Sequence, residues 1–495
     1  MKLAQLLSIF EELHWGADFD AEVFNVTVDS REVKKNSVYV AIRGTKVDGH
    51  TFLPQVAEKG AIALIVESKD LIPSSYKGAV VVTENSRSAI DQIASRFYGD
   101  PAEYMFCVGV TGTNGKTSIT YMVEAIFKEF GWTTGVMGTV DHHLGDHVWK
   151  SHMTTPGPVE LQKRLSEFRA LHADAAVFEV SSHALDQHRV DHIPFNAIVF
   201  SNLSRDHMDY HKDFEDYFKA KERLFSEIPY KYKNRKTTAV INADDPYGLK
   251  IETAGGVRSW YYGEKRGDFR FEILDESFQG CRINVRTPRG EHVFTLPLTG
   301  RHNIYNCLAA ITVGMSAGAS LDVCCNAMEK FKGVPGRLEK VENDKGLHVF
   351  VDYAHTDDAL TSVLKSLNSV RKKNLMDEKL ITIFGCGGDR DKGKRPMMTK
   401  AALDQSDLVF ITSDNPRSED PMLIIKDCLK AVPEEMIDKT VFIEQDRKTA
   451  LSRAFKMANV GDIVLIAGKG HEDYQIVGDQ VLPFSDVLVA KELLK

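Results

Sequence analysis

The sequence predicts an α/β protein of three domains, and three observations carry that prediction. Short apolar runs of strand type alternate with stretches of helical period, the pattern of parallel sheets joined by crossover helices. Several of these runs end in glycine-rich or polar clusters, where open α/β sheets place their ligands. The length, 495 residues, exceeds what one core organises, so two to four domains are expected.

Residues 1–100 read as a small α/β domain. Leu3, Leu6, Leu7 and Phe10 recur at helical spacing and Glu11 and Glu12 follow at once, which predicts an amphipathic helix and argues against a signal peptide. Residues 38–42, 61–66 and 79–82 are strand-like, and Asp100-Pro101 punctuates the chain before the next domain.

Residues 101–334 read as a central domain of P-loop type with a mostly parallel sheet. Its first strand is the apolar run 106–110. Gly112, Thr113, Asn114 and Gly115 make a turn-prone loop. Ile119, Met122, Val123, Ile126, Phe127 and Phe130 then repeat at helical spacing until Gly131. Strand, glycine-rich loop, Lys-Thr and helix together form a phosphate cradle. Glycines let backbone N–H groups close on phosphate oxygens, and the helix N-terminus adds positive partial charge. Lys116 reaches the terminal phosphates, and the Thr117 hydroxyl can hold Mg²⁺. The strict pattern has glycine at position 110, where this chain has Val110. Residues 175–178 and 197–200 are further short strands. The first ends at Glu179, and the second runs into Ser201-Asn-Leu-Ser-Arg-Asp-His-Met-Asp-Tyr-His211. Alone, Glu179 and His207 would read as structural residues. At neighbouring strand ends beside a nucleotide loop they become candidate Mg²⁺ ligands, His207 the less usual type.

Gly333-Val-Pro-Gly336 marks a linker, and residues 335–495 read as a Rossmann-like domain. Strands at 349–351, 380–384, 408–412, 441–443 and 463–467 alternate with helical patterns, one of them carrying Leu360, Val363, Leu364 and Leu367. Polar loops follow the strands: Asp352 to His355, Gly385 to Arg395, Ser413 to Asp420 and Gly468 to Glu472. Arg390 and Arg417 in these loops suggest a pocket for an anionic ligand in addition to a nucleotide.

Composition narrows the function classes. Apolar residues are 43% and charged ones 27% of the chain, as in a soluble globular protein, and the net charge of −8 argues against a nucleic-acid or anionic-membrane role. No apolar run reaches membrane-spanning length. The seven cysteines are scattered without metal spacing and read as reduced core thiols of a cytoplasmic protein.

The ordered motifs resemble the Mur ligase family along the whole chain. They are Asp29-Ser-Arg31, Gly112 to Thr117, Thr154-Thr155, Ser181 to Arg189, Lys219-Ala-Lys221, Gly300-Arg-His-Asn303, Pro335-Gly-Arg337, Asp352 to His355, Gly385 to Arg395, Asp414 to Arg417 and Gly468 to Glu472. One departure is Asp357, where the family usually has proline; it should alter a turn more than the chemistry. The resemblance implies a UDP-substrate domain, a central ATPase and a C-terminal amino-acid domain. It assigns UDP-substrate contacts to Ser30, Thr45, Lys46, Val47, Thr154, Thr155, Ser181, Gln187 and Arg189. Nucleotide contacts extend from Gly112–Ser118 to Asn303, Arg337 and Asp352, and Lys221 would be a lysine carried as a carbamate and a further Mg²⁺ ligand. Asp414, Asn415, Pro416, Arg417, Arg390, Gly468 and Glu472 would receive the amino acid. The Asp-Asn-Pro-Arg form resembles members of the family that add meso-diaminopimelate to UDP-N-acetylmuramoyl-L-alanyl-D-glutamate.

What the resemblance implies is therefore an ATP- and Mg²⁺-dependent ligation through an acyl phosphate, with Lys116, Lys221, Glu179 and His207 at the chemistry. The expected partners are small molecules, with no nucleic acid and no membrane insertion, and the expected assembly is a monomer. Three alternatives stand beside it: the same ligation with L-lysine, another Mur or folylpolyglutamate-type ligase, and a P-loop switch protein. The absence of an Asn-Lys-x-Asp guanine signature weighs against a GTPase switch.

Overall fold

The computed structural model describes the whole chain except residues 11, 12, 15–17, 45, 46, 207, 209, 233 and 374–376, with backbone only at 13, 14 and 373. Three large sheets follow one another along the sequence. The first has five strands in the order Leu13–His14, Ala79–Val82, Ala63–Val66, Ser37–Val40, Asn25–Thr27, all parallel except the short edge strand Leu13–His14. The N-terminal helix is Leu3–Leu7, and its three leucines are fully buried in this unit's core. The helix Ser86–Phe97 covers the same core and starts at Asn85, whose side chain accepts from the N–H groups of Arg87 and Ser88.

The second sheet has eleven strands. Its middle is parallel, and Phe106–Thr111 lies between Ala175–Glu179 and Ala197–Phe200, with Glu179 opposite Val110 and Phe200 opposite Thr111. The chain leaves all three strands at one edge, so the phosphate loop and two polar loops emerge side by side. The crossover helix Lys116–Glu129 buries Ile119, Met122, Val123, Ile126 and Phe127 against the sheet and the helix Arg301–Ser316. Burial of five such side chains contributes on the order of 10 kcal/mol. Antiparallel strands extend both margins of the sheet: Asp141–Leu144 and His147–Lys150 on one side, Gly280–Thr287 and Gly290–Leu296 on the other.

The third sheet has six strands in the order Glu339–Val341, His348–Asp352, Ile463–Ala467, Leu380–Cys386, Leu408–Ser413, Val441–Ile443, parallel except for the first. Asp352 and Phe384 both register with Ala467, and Cys386 with Ser413. Its four polar loops therefore leave from one edge. The Arg447 guanidinium, fully buried with Asp486, holds two of these strand ends by donating to the carbonyls of Ala467 at 2.9 Å and Ser413 at 3.3 Å. All seven cysteines are free and buried, as expected of core thiols. Asp357 does not reshape a turn. It is the first residue of the helix Asp357–Lys373, where an acidic side chain complements the helix dipole and a proline would also be accepted.

Candidate active site

The phosphate loop is closed by its neighbour strand's loop. Gly112 has φ +142° and Gly115 +88°; a Cβ would meet Ser201 Oγ at 1.9 Å on the first and Asn306 Oδ1 at 2.4 Å on the second, so only glycine fits both. Ser201 Oγ donates to the Asn114 carbonyl at 2.6 Å, and Asn202 receives the N–H groups of Thr113 and Asn114 at 2.8 and 2.9 Å. Thr113 Oγ1 bonds the backbone of Ser204 at both its carbonyl and its N–H. Ser201 and Asn202 were not singled out from the sequence as site residues, because their partners lie almost ninety positions away.

Lys116 and Lys221 converge on one carbonyl. Lys116 Nζ donates to Gly112 O at 2.9 Å and Thr113 O at 2.8 Å, and Lys221 Nζ donates to the same Gly112 O at 3.0 Å. Lys221 is buried, with its Nζ 4.6 Å from the Tyr217 ring. Burial, and then the neighbouring Lys116, push the Lys221 pKa well below that of an ordinary lysine. Burial also lowers Lys116, against the opposing pull of Glu179 and Asp206.

Residues 113–118 open onto a cavity of about 560 Å³, which Thr139, Thr154, Glu179, Asp206, Asn303, Arg337 and Asp352 also help to line. The cavity brings candidates from the central and C-terminal domains together. Arg337 Nη2 donates to Thr117 Oγ1 at 3.1 Å. The Asp352 carboxylate is occupied by its own backbone, accepting from Leu338 N at 2.6 Å and Ala354 N at 2.7 Å, and burial raises its pKa. Thr117 and Glu179 offer the cavity a hydroxyl and a carboxylate, hard oxygen donors of the kind Mg²⁺ takes. Among the described residues no group of three or more His, Cys, Asp or Glu gathers. His207, Thr45 and Lys46 lie outside the described residues.

From Glu179 a hydrogen-bonded line runs through five predicted UDP-substrate residues. Glu179 accepts from Thr139 N at 2.7 Å and Thr139 Oγ1 at 3.1 Å, and the Thr139 and Thr154 hydroxyl oxygens pair at 3.1 Å. Thr155 Oγ1 donates to the Glu179 carbonyl at 2.8 Å and receives Ser181 N at 3.0 Å. Arg189 joins Thr155 O at 2.8 Å to Gln187 Oε1 at 2.7 Å. His143 anchors the hairpin beyond Thr139, its ring nitrogens 2.6 Å from Asp141 and 3.1 Å from Glu124 of the phosphate-loop helix. Burial alone would lower its pKa, but the hydrogen bonds to the two carboxylates outweigh it and raise the pKa to about 9. The first unit ties in beside Gln187 and Arg189. Asn85 Nδ2 lies 3.2 Å from His188 Nε2, and Asp91 accepts from His192 N at 2.7 Å. Ser30 is nearly buried and Val47 is exposed in that unit; no direct hydrogen bond joins either to this line.

The C-terminal loops close a second cluster. Arg417, at φ +52°, donates to Gly388 O at 2.8 Å. A Cβ on Gly387 would lie 2.9 Å from Arg417 Nη1 and 3.8 Å from Arg390 Cγ, so the two arginines flank one glycine. Glu419, two residues beyond Arg417, is held by Arg395 in a double contact. Asn415 Nδ2 donates to Glu472 Oε2 at 2.8 Å, Gly388 N reaches Asn415 O next to Pro416, and a Cβ on Gly468 would lie 3.4 Å from Asp414 Oδ2. The fully buried Lys469 is central to this cluster, and sequence reasoning misses it. Its position between two glycines in Gly468-Lys-Gly-His-Glu472 was the available signal.

Known proteins resemble this chain throughout. The models described as "Mur ligase family, catalytic domain", "Mur ligase middle domain" and "Mur ligase, glutamate ligase domain" match residues 22–98, 110–314 and 336–470. The UDP-N-acetylmuramoyl-L-alanyl-D-glutamate--2,6-diaminopimelate ligase of Aquifex aeolicus is 43% identical over 472 residues, covering 95% of this chain and 94% of that protein. The Bacillus velezensis ligase of the same name is 41% identical, covering 99% and 98%. A solved structure of a ligase of that name superposes with TM-score 0.72 at 31% identity, over 100% of this chain and 99% of that one. MurF from Acinetobacter baumannii, at 18% identity and TM-score 0.63, shares the fold.

Proposed function

Because the chain belongs to the Mur ligase family, we propose that it joins meso-2,6-diaminopimelate to UDP-N-acetylmuramoyl-L-alanyl-D-glutamate at the expense of ATP, in cytoplasmic peptidoglycan precursor synthesis. One observation carries this reading. A phosphate loop, the buried carboxylate of Glu179 and the line Thr154–Thr155–Ser181–Gln187–Arg189 leave one sheet edge, and the C-terminal loops meet them through Arg337.

The chemistry follows from what the groups must do. A carboxylate accepts an amine only after an oxygen becomes a leaving group, so the γ-phosphoryl of ATP moves to the substrate carboxylate and ADP forms. Two anions meet in that step. Lys116 and the loop N–H groups neutralise the transferring phosphoryl group. Mg²⁺, held by Thr117, Glu179, His207 and carbamylated Lys221, would add charge to offset the same repulsion. Thr155, Ser181, Gln187 and Arg189 orient the peptide end of the UDP substrate, while Ser30, Thr45, Lys46 and Val47 hold its nucleotide end. Asn303, Arg337 and Asp352 shape the ATP site. The amine then attacks the acyl phosphate, a tetrahedral oxyanion forms and phosphate leaves. The C-terminal loops deliver the amine and exclude water that would hydrolyse the intermediate. The division of labour follows residues 1–100, 101–334 and 335–495, in a monomer.

Purified protein given ATP, Mg²⁺, the UDP-dipeptide and single amino acids tests the reading. Expected is one product, containing meso-diaminopimelate, with ADP formed only when both other substrates are present. Steady ATP hydrolysis without an amino-acid acceptor would favour a switch protein instead.

A further inference from the structure

Lys469 has no counterpart in the roles above. Its side chain is fully buried, and its Nζ lies 2.9 Å from Glu472 Oε2, 3.3 Å from Asn415 Oδ1 and 3.5 Å from Asp414 Oδ1. Two carboxylates and an amide oxygen are the groups that would suit the distal ammonium of an incoming diamino acid. A resident ammonium already occupies them.

We propose that Lys469 is a specificity determinant that sets the charge of the amino-acid pocket. This rests on the reading of residues 414–417 and 472 as that pocket. Asp414 and Glu472 bring two negative charges. Lys469 and Arg417, whose Nη1 reaches the adjoining Gly388 carbonyl, bring two positive ones, while Arg390 is exposed and screened by solvent. The half-buried pocket is therefore neutral. It suits the distal centre of meso-diaminopimelate, where ammonium and carboxylate cancel. L-lysine brings the ammonium alone, which would leave an uncompensated charge and compete with Lys469 for the same oxygens. Removing Lys469 makes the pocket anionic, attracting both ammonium groups but repelling the distal carboxylate that only diaminopimelate carries.

The test is the ratio of kcat/KM for meso-diaminopimelate to that for L-lysine, in wild type, Lys469→Met and Glu472→Gln. Lys469→Met should lower the ratio by on the order of tenfold, mainly through KM, as expected for one partly screened charge at contact distance. Glu472→Gln moves the pocket charge the other way and should raise the ratio. A purely structural role would reduce both kcat/KM values together. Should Lys469→Met fail to fold, Glu472→Gln carries the test alone. A ratio within about twofold of wild type, or a fall in Glu472→Gln, overturns the proposal. Wild type that ligates neither amino acid sinks the ligase reading as well, whereas normal ligation with an unmoved ratio sinks this inference only.

Discussion

Lys221 offers the sharpest test of the catalytic centre. Its amine and that of Lys116 bond the same Gly112 carbonyl, at 3.0 and 2.9 Å. The two nitrogens are thus no more than about 6 Å apart, and two unit charges at that separation repel by about 3 kcal/mol at an effective dielectric of ~20. Burial adds to the cost of charging Lys221, in line with its lowered pKa. A neutral amine is the form that reacts with CO₂. The carbamate so formed is an anion, which turns the same separation from repulsion into attraction toward Lys116 and supplies an oxygen ligand of the type Mg²⁺ prefers. Lys221→Ala should therefore lose activity by on the order of 10²–10³-fold, and a small carboxylate such as acetate should restore part of it. The assay is phosphate release coupled to product formation, with and without the added carboxylate. ¹³C-labelled bicarbonate should give a carbamate carbon resonance in wild type that the variant lacks. Full activity in Lys221→Ala would refute the reasoning.

Three further outcomes are expected. Lys116→Ala should cost on the order of 10²–10³-fold in kcat, and near-normal turnover would remove the phosphate-loop assignment. Arg417→Ala should raise KM for meso-diaminopimelate far more than it lowers kcat. It should also erode a preference over L-lysine that can reach roughly 10⁴-fold in sites built for a polar group; an unchanged KM would show that the guanidinium only braces Gly388. His143 has a folded pKa of about 9 against an ordinary 6.5, so its contribution to stability is full below about 6.5 and is lost as pH rises through about 9. Thermal unfolding of His143→Gln should accordingly show a flatter decline over that alkaline window than wild type, and parallel curves would contradict the ion-pair reading.

The sequence made local chemistry legible and long-range closure illegible. Gly112 to Thr117 could be read because a phosphate cradle needs its glycines, lysine and hydroxyl within a few residues, so the motif and its geometry coincide. Glu179 could be read because the end of a parallel strand is a place and not merely a residue. The clamp by Ser201 and Asn202 could not be, since a serine and an asparagine after a strand look the same whether they face solvent or another loop. Lys469 was hidden for a related reason: a lysine is expected at the surface, and only the convergence of Asp414, Asn415 and Glu472 from distant segments makes its burial tolerable. The antiparallel margins of the central sheet escaped because they hold no chemistry and sit where edge strands commonly carry polar residues.

We propose that the linker between the central and C-terminal domains couples the two half-reactions. Gly336, at φ +66°, packs so closely that a Cβ would meet His471 N at 2.0 Å, locking the linker to the loop that carries Lys469 and Glu472. Its N–H donates to Glu339 at 2.8 Å, and Leu338 N is held by Asp352. The next side chain, Arg337, lies with its guanidinium 4.7 Å over the Tyr353 ring and bonds Thr117 at the start of the phosphate-loop helix. A single short segment thus touches the residues assigned to the nucleotide and the loop assigned to the amino acid. An angular error of this linker would displace the attacking amine relative to the acyl phosphate, and misplacement by about 1 Å can cost roughly 10²-fold in rate. The buried Asp352 carboxylate accepts from two backbone N–H groups, of this segment and of the strand end behind it, and we propose that it acts through the linker's geometry rather than by proton transfer. Asp352→Asn removes one acceptor oxygen while keeping the shape. It should lower kcat for ligation more than it lowers ATP affinity, and the reverse split would place Asp352 on the nucleotide itself.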